Sequence, residues 1–232
     1  MEEVSDRRRP VEFSRARKAV ARRMVDSKRD APHFYVSAEI EMDAAVSQVE
    51  TLNAAAEGVR VTITALLVRA CAVALREHGR LNAVWGTEGL KLSTEINICV
   101  AIALDDALVA PALLGCESLS IPATAVALQD LVQRARGAKL RGREMTDGTF
   151  TLSNLGMFDV SQFTPIVTPP QVAILGAGKI SRLPRFADAE VVARQLMTVT
   201  VSADHRAVDG ADVARFLGTL KARIESPGSL DD

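Results

Sequence analysis

The sequence predicts a mixed α/β fold, in which long helices flank and pack against a mixed β-sheet. Two observations predict this class. Apolar residues recur at helical spacing in several segments, most clearly over 62–77 and 211–225. Runs rich in β-branched or alternating apolar residues, such as 33–42 and 196–202, lie between those segments. The order of the strands does not follow from the sequence.

The elements follow one another along the chain. Residues 1–12 are charged and are interpreted as a flexible arm or a linker remnant, and residues 13–232 as one folded domain. The first helix, Ser14–Ser27, has a basic surface that is either solvated or in contact with a neighbouring subunit or an anionic cofactor. The other predicted elements are a strand at 33–42, a helix capped by Asp43, a buried helix at 62–77, strands at 90–92, 96–103 and 109–114, a helix from Ser120 or Pro122 to Arg136, strands at 149–153, 171–180 and 196–202, and a closing helix at 211–225.

The composition excludes several classes of function. The 28 basic and 29 acidic residues leave a net charge of -1, so no cationic field is available for nucleic acid, and aromatic residues make up only 4% of the chain. No apolar run approaches the roughly 20 residues of a membrane helix, and the charged N-terminus lacks the apolar core of a secretion signal. The three cysteines are widely spaced, which favours a reducing compartment and argues against disulfides or zinc. We therefore expect a soluble cytoplasmic protein that binds neither nucleic acid nor membrane nor metal.

The most informative segment is Asp204–Gly210, which places His205 four residues before Asp209 and between a predicted strand and a predicted helix. An imidazole titrates near neutral pH, and a turn between two regular elements holds it rigidly, as a general base requires. Considered alone, a histidine at a strand end is more often structural, and an aspartate before a helix is a common N-cap. A metal site would need more nitrogen or sulfur ligands than this neighbourhood offers.

Two other segments have both structural and functional interpretations. Ser153 lies in a Ser-Asn-Leu-Gly turn signal that ends a β-rich run, so its hydroxyl belongs either to a turn or to a site. The Gly176–Lys179 segment suggests a nucleotide loop, but Ala173 and Ile180 stand where a phosphate loop needs glycine and Ser or Thr. A dinucleotide fingerprint fails as well, because Ser181 occupies its third glycine position. The segment is interpreted as a buried strand that ends in a turn.

In combination, these segments resemble the catalytic domain of the dihydrolipoyl acyltransferase subunits of 2-oxo acid dehydrogenase complexes, whose fold is similar to chloramphenicol acetyltransferase. The resemblance spans about residues 12–228, and it includes the separation of 52 residues between Ser153 and His205 (205 − 153). It implies a two-layer α/β sandwich that forms trimers. The blocks that carry it are Ser14–Met24, Ala31–Phe34, Thr149–Met157 and Ala203–Ala211.

The resemblance implies that the chain moves an acyl group between the thiols of dihydrolipoamide and coenzyme A. His205 would deprotonate the attacking thiol, and Ser153 would donate a hydrogen bond to the tetrahedral oxyanion. Asp209 would hold the His205 loop through a charge pair, with Arg17 as the candidate partner. No acyl-enzyme is expected, because both substrates are themselves thiols. The residues that fall where the family lines the coenzyme A side are Asn154, Ala177 and Lys179.

The same resemblance implies the partners. In the family the histidine and the serine come from different subunits of a trimer, and trimers pack into a hollow cubic or dodecahedral core of 24 or 60 subunits. That core works with decarboxylase and dihydrolipoyl dehydrogenase components. The lipoyl group would come from a lipoyl domain that this chain does not contain, so we interpret the chain as an excised catalytic domain or a natural short subunit.

The acyl group is less well defined by the sequence. Phe163–Val167 resembles acetyl-specific members, of pyruvate or acetoin complexes, more than branched-chain ones, and no extra cation in the blocks favours a succinyl group. The competing interpretation is a structural core subunit without activity. Family members of that kind lose the catalytic histidine, whereas His205, Asp209 and Ser153 are retained here. The prediction is therefore an acetyltransferase.

Overall fold

The computed structural model describes residues 11–55, 58–104, 108–187 and 190–230. Within these ranges the helices are α1 (Arg15–Asp30), α2 (Asp43–Ala55), α3 (Ile63–Glu77), α4 (Ile121–Arg136), α5 (Gly142–Thr146) and α6 (Gly210–Glu225). The strands are β1 (His33–Glu41), β2 (Ala83–Gly86), β3 (Gly89–Leu92), β4 (Ile98–Val100), β5 (Ile102–Ala103), β6 (Leu108–Val109), β7 (Ala112–Leu113), β8 (Phe150–Asn154), β9 (Ala173–Ala187) and β10 (Glu190–Asp204). Short 3-10 helices lie at Cys116–Ser118, Gly156–Phe158 and Pro227–Leu230.

The five predicted helices are present, and side-chain caps fix where three of them begin. Asp43 is the first residue of α2 and not its predicted cap, since its carboxylate accepts a hydrogen bond from the Gln195 amide of β10 (3.2 Å). The Thr62 hydroxyl accepts a hydrogen bond from the Ala65 amide (3.2 Å), and the Ser120 hydroxyl accepts one from the Ala123 amide (3.3 Å). Ser14 caps α1 in the same way. Each cap satisfies an amide N–H that the start of a helix leaves without an intrahelical partner.

Several strand predictions are corrected by the pairing. The run predicted at 96–103 is divided, because β4 joins the main sheet while β5 pairs with β6. The run at 109–114 is divided into β6 and β7 for the same reason. β9 does not end in a turn after residue 180, since its outer half continues as a ribbon paired only with β10. Neither β2 nor α5 was predicted. Residues 1–10 of the predicted arm lie outside the described residues, so that assignment stays a prediction.

The main sheet is mixed, with the strand order β1-β10-β9-β8-β4-β7. The pairs β1–β10 and β10–β9 are antiparallel, whereas β8 runs parallel to both β9 and β4. Ser153 of β8 lies in register with Gly176 of β9, which in turn lies opposite Thr200 of β10. Side chains in register across neighbouring strands point to the same face, so this row defines one face of the sheet.

One face of the sheet is covered by helices and forms the apolar core. α3 packs between α4 and α6, and ten of its fifteen residues are buried. Phe150 of β8 and Phe216 of α6 are fully buried, with ring centroids 5.7 Å apart. Val199 and Val201 of β10 belong to the same core. Burying side chains of this size contributes about 1.5–3 kcal/mol each to folding.

The opposite face carries the row that contains Ser153, and it is covered by the chain around residues 160–167. A Cβ atom on Gly176 would lie 3.0 Å from Phe163 Cζ and from Pro165 Cδ. On Gly178 a Cβ atom would lie 2.7 Å from the Ser161 carbonyl carbon. The two glycines of the Gly-Ala-Gly-Lys segment therefore let a second backbone cross β9 at close range. Residues 176–179 thus belong to a buried strand, as the sequence predicted, and not to a nucleotide loop.

A buried carboxylate joins α5 to α4. Glu144 is 5% exposed, forms an ion pair with Arg134 and accepts a hydrogen bond from the Arg141 amide (2.7 Å). Burial alone would raise the pKa of Glu144, but the hydrogen bonds from Arg134 and from the Arg141 amide outweigh it, so its pKa lies below the ordinary value. The carboxylate therefore stays charged at neutral pH.

We expect Glu144→Gln to lower the free energy of unfolding by about 1–2 kcal/mol at pH 7, because the variant loses a charge-assisted hydrogen bond. A carboxylate whose pKa is depressed by folding stabilises above its unfolded pKa, and this contribution is lost as the pH falls through the folded pKa. Urea unfolding at pH 7 and below pH 4 measures this contribution. The difference in the free energy of unfolding between wild type and variant should shrink at low pH. Asp130→Asn, which removes the exposed partner of the same arginine, should cost under about 0.5 kcal/mol. Equal losses for both variants would contradict the prediction.

Candidate active site

His205 lies in the turn between β10 and α6, and backbone hydrogen bonds hold that turn. The His205 amide donates to the Pro32 carbonyl (3.0 Å), and the Ala207 amide donates to the Asp204 carbonyl (3.0 Å). The imidazole ring is exposed and lies against Phe34, with ring centroids 4.7 Å apart. A fixed backbone with an accessible imidazole is the arrangement that a general base needs.

An ion pair made by the two residues that flank His205 stabilises the same turn. Asp204 is 2% exposed, and its carboxylate accepts hydrogen bonds from Arg206 Nε (3.0 Å) and Nη2 (2.6 Å). These hydrogen bonds raise the pKa of the Arg206 guanidinium, although burial opposes the shift. The guanidinium also lies 4.9 Å from the centroid of the Trp85 ring, at cation–π distance. Sequence reasoning did not assign this pair, although the alternation of charge around His205 was visible.

Asp209 has the structural role that its sequence context suggested. Its side chain accepts hydrogen bonds from the amides of Ala211 (2.9 Å) and Asp212 (3.0 Å), and the Asp212 carboxylate accepts one from the Asp209 amide (3.3 Å). This is a reciprocal capping box at the start of α6. Among the described residues no hydrogen bond or ion pair joins Asp209 to Arg17, so the suggested arginine pair is not present within one chain. The charge pair of this turn is formed by Asp204 and Arg206.

Ser153 lies on β8, far from His205 of the same chain. It is half-buried and points to the face on which Phe163 and Pro165 pack over Gly176. His205 lies five residues beyond Thr200 along β10, two strands away from Ser153. With a rise of about 3.3 Å per residue and a strand spacing of about 4.8 Å, the two residues are about 15–20 Å apart. One acyl group cannot contact both side chains of a single chain.

The three residues predicted for the coenzyme A side lie near the C-terminal end of β8. The Asn154 amide group donates to Thr64 Oγ1 (3.1 Å), and its oxygen accepts from the Gly156 amide (2.9 Å). Ala177 is fully buried in the core, so its side chain has no surface open to a ligand. Lys179 is partly exposed and pairs with the exposed Asp159 (2.7 Å). Of the three, Lys179 alone presents an accessible charged group, and the assignment stays a prediction.

The cysteines are not placed to act as nucleophiles. Cys71, Cys99 and Cys116 are free and buried. Burial raises the pKa of Cys116 to about 12 and raises that of Cys71 further, so both stay protonated. In the parts of the chain that the structure describes, no group of three or more His, Cys, Asp or Glu side chains is suited to a metal ion, and no helix is long and apolar enough to span a bilayer.

Comparison with known proteins identifies the family. The profile of the family described as 2-oxoacid dehydrogenases acyltransferase (catalytic domain) matches residues 5–230. The chain belongs to this family. It is 32% identical to the dihydrolipoyllysine-residue acetyltransferase component of the pyruvate dehydrogenase complex of Zymomonas mobilis, over 94% of this chain and 50% of that protein. The corresponding component of Rhizobium meliloti is 36% identical over 91% of this chain and 48% of its own length. The chain spans about half the length of the curated relatives it matches.

Solved structures confirm the predicted fold of this chain. A probable dihydrolipoamide acetyltransferase from Listeria monocytogenes superposes with a TM-score of 0.91 at 31% identity, over 95% of each chain. The dihydrolipoamide acetyltransferase of Azotobacter vinelandii superposes with a TM-score of 0.93 at 27% identity, over 99% of this chain and 98% of that one. The cubic core of a pyruvate dehydrogenase multienzyme complex gives the same scores. Chloramphenicol acetyltransferase (TM-score 0.59, 13% identity, 88% of this chain and 94% of that one) shares the fold alone.

The Azotobacter structure was solved to study the roles of a serine, a histidine and an asparagine in the catalytic mechanism. By their numbers, that serine and histidine are 52 positions apart, and the asparagine follows the histidine by four. Ser153, His205 and Asp209 of this chain have the same two spacings. At the spacing of that asparagine this chain has an aspartate, and asparagine and aspartate are both good helix N-caps.

Proposed function

We propose that the chain transfers an acetyl group between dihydrolipoamide and coenzyme A within the core of a 2-oxo acid dehydrogenase complex. The observation that carries this proposal is the exposed imidazole of His205 on a rigid turn, at the same spacing from a serine as the histidine studied in the Azotobacter enzyme. The acetyltransferase names of the relatives support the choice of acyl group.

The chemistry follows from the properties of thiols. A thiol with a pKa of about 8.5 is mostly protonated at neutral pH and is a weak nucleophile in that form. His205 accepts the proton of the dihydrolipoamide thiol as its sulfur attacks the carbonyl carbon of acetyl-CoA. When the tetrahedral intermediate collapses, the bond to the coenzyme A sulfur breaks and the imidazolium returns the proton to that sulfur. The reverse direction uses the same steps.

The hydroxyl of Ser153 stabilises the oxyanion of this intermediate, and it does so from a neighbouring chain. The separation of about 15–20 Å within one chain, from strand spacing and rise, supports a site built between subunits. A ring of identical chains in head-to-tail contact pairs each His205 with the next chain's Ser153. We propose that this ring is a trimer, which packs further into a core like the cubic core that the domain resembles.

Coenzyme A and the lipoyl group enter as substrates. Lys179 presents an accessible ammonium near the C-terminal end of β8, where it pairs with Asp159. A phosphate group of coenzyme A would take the place of Asp159 as the ion-pair partner of Lys179. Asn154 would act through the turn that it holds, and Ala177 through backbone groups alone. The lipoyl group would arrive on a lipoyl domain, and the decarboxylase and dihydrolipoyl dehydrogenase components would load and reoxidise it. The three buried free thiols support a reducing compartment, the cytoplasm.

The test is a transfer assay with the purified chain. Acetyl-CoA and free dihydrolipoamide should give S-acetyl-dihydrolipoamide and free coenzyme A. This transfer should be faster than transfer from isobutyryl-CoA or succinyl-CoA. Light scattering should report an assembly several times the 24.9 kDa chain mass. An assembly without transfer from any of the three donors would favour a structural core subunit. A monomer with full activity would contradict the shared site.

A further inference from the structure

The segment Phe163–Val167 forms an apolar wall beside Ser153. Phe163 and Pro165 pack over Gly176, which is the register partner of Ser153 on the neighbouring strand. Strand neighbours are about 4.8 Å apart, so this segment lies within contact distance of an acyl group held at the Ser153 hydroxyl. A shift of the segment would change the space next to that hydroxyl.

Both backbone polar groups of Val167 are held by side chains from the N-terminal part of the chain. The Val167 amide donates to Nε2 of His33 (3.0 Å), and the Ser27 hydroxyl donates to the Val167 carbonyl (2.6 Å). Val167 and Ser27 are fully buried. Arg23 adds a hydrogen bond from Nε to the Pro169 carbonyl (3.2 Å). A buried backbone N–H or C=O group without a hydrogen-bond partner destabilises the folded chain, so these contacts fix the position of the segment.

The partners of His33 define one protonation state. Nδ1 lies 2.7 Å from the Ala31 carbonyl, which can only accept, so Nδ1 carries the proton. The Val167 amide can only donate, so Nε2 has no proton. Only the neutral imidazole with its proton on Nδ1 satisfies both contacts.

The turn that carries His33 also contacts the His205 turn. His33 lies opposite Asp204 in the β1–β10 register, and the Pro32 carbonyl accepts the His205 amide hydrogen bond. The same short stretch thus contacts the residue proposed as the base and the wall beside the residue proposed as the oxyanion donor.

We propose that His33 is a positioning residue for acyl transfer, which holds the Phe163–Val167 segment beside Ser153 and so sets the preference for a small acyl group. This inference rests on the proposed function. It assigns a role to His33 in the Ala31–Phe34 block, in which Pro32 and Phe34 contact His205. His33 contacts neither substrate; it acts through the Val167 amide.

The experiment compares His33→Ala with His33→Gln. Alanine removes the acceptor for the Val167 amide, whereas the glutamine side-chain oxygen reaches about the position of Nε2 and accepts the same hydrogen bond. We expect His33→Ala to lower kcat/KM for acetyl-CoA about 10- to 100-fold, since small misplacements in a site have effects of that size. The ratio of acetyl to isobutyryl transfer should fall as well, and hydrogen exchange at the Val167 amide should become faster. Glutamine should restore most of all three.

A matched control is His78→Ala, which removes another half-buried histidine with one side-chain hydrogen bond, to Thr219 (2.8 Å), away from this segment. That variant should keep the wild-type acyl preference. If His33→Ala does not fold, Ser27→Ala tests the same contact from the carbonyl side and should lower the same ratio. Unchanged kcat/KM and preference in an active His33→Ala variant, or a loss that glutamine does not restore, overturns the inference alone. An inactive wild type overturns the proposed function and this inference with it.

Discussion

Replacing His205 with alanine is expected to slow acetyl transfer from acetyl-CoA to dihydrolipoamide by about 10²–10⁴-fold in kcat, the usual contribution of a positioned general base. Without the imidazole, the attacking thiol depends on the small thiolate fraction present at neutral pH. Because the ring is exposed and the turn is held by backbone groups and by Asp204–Arg206, the variant should fold and assemble normally. Steady-state kinetics at several pH values measure the effect, and the rate that remains should rise with pH as more thiolate forms.

The control is again His78→Ala, which removes a histidine outside the proposed site. Its kcat should stay close to that of the wild-type chain. If kcat of His205→Ala falls by less than about threefold, the effect is well below the range for a general base and contradicts the assigned role.

Mixing two inactive variants tests whether the site is shared. Chains with His205→Ala and chains with Ser153→Ala each lack one half of every site, and the serine variant alone should lose about 10²–10³-fold in kcat. In a head-to-tail ring assembled at random from equal amounts of the two variants, about one site in four combines His205 from a Ser153→Ala chain with Ser153 from a His205→Ala chain. Activity should therefore reappear on co-expression or joint refolding. No recovery in mixed rings would contradict a site formed between chains.

Gly178→Ala is expected to prevent stable folding, although the substitution adds a single methyl group. The new Cβ atom would overlap the Ser161 carbonyl, with 2.7 Å to its carbon and 3.1 Å to the Val160 oxygen. The obstacle is backbone, which cannot rotate away as a side chain can. The Lys179 amide also donates to the Val160 carbonyl (2.7 Å), so the two segments cannot separate without losing a hydrogen bond. We expect a loss of more than about 3 kcal/mol, at the upper end for a small-to-large change in a packed region.

The matched control is Gly218→Ala in the middle of α6, where a Cβ atom would meet nothing within 4 Å. That substitution should stabilise the chain by about 0.4–1 kcal/mol, because alanine favours the helix and restricts the unfolded chain. Thermal unfolding by circular dichroism and the soluble yield compare the two variants. Wild-type stability of Gly178→Ala would contradict the close crossing of the two segments.

Local features of the sequence were enough to locate the five longer helices, the strands β1 and β8, and the inner halves of β9 and β10. Ser14, Thr62 and Ser120 cap helices because a short polar side chain can satisfy the first free amides. Such contacts reach three residues along the chain and therefore appear in the sequence itself. The outer halves of β9 and β10 were missed because they pair only with each other and therefore need no apolar face.

The charge partners near His205 show where local reasoning ended. The sequence suggested that an arginine pairs with Asp209, whereas Asp209 caps α6 and Arg206 pairs with the buried Asp204. The choice depends on which carboxylate the turn buries, and burial is a property of the folded chain. The position of Trp85 against Arg206 depends on β2, a strand too short to be recognised from periodicity.

By itself the sequence determined the class of fold, the family resemblance and the residues proposed as base and oxyanion donor, because motifs and spacings are written along the chain. Only the tertiary structure decided that Ser153 and His205 of one chain lie about 15–20 Å apart, from strand rise and spacing. It also decided that His33 and Ser27 hold Val167 from more than a hundred residues away. Strand order and contacts over such sequence distances arise from the packing of the whole core, which no short stretch of sequence encodes.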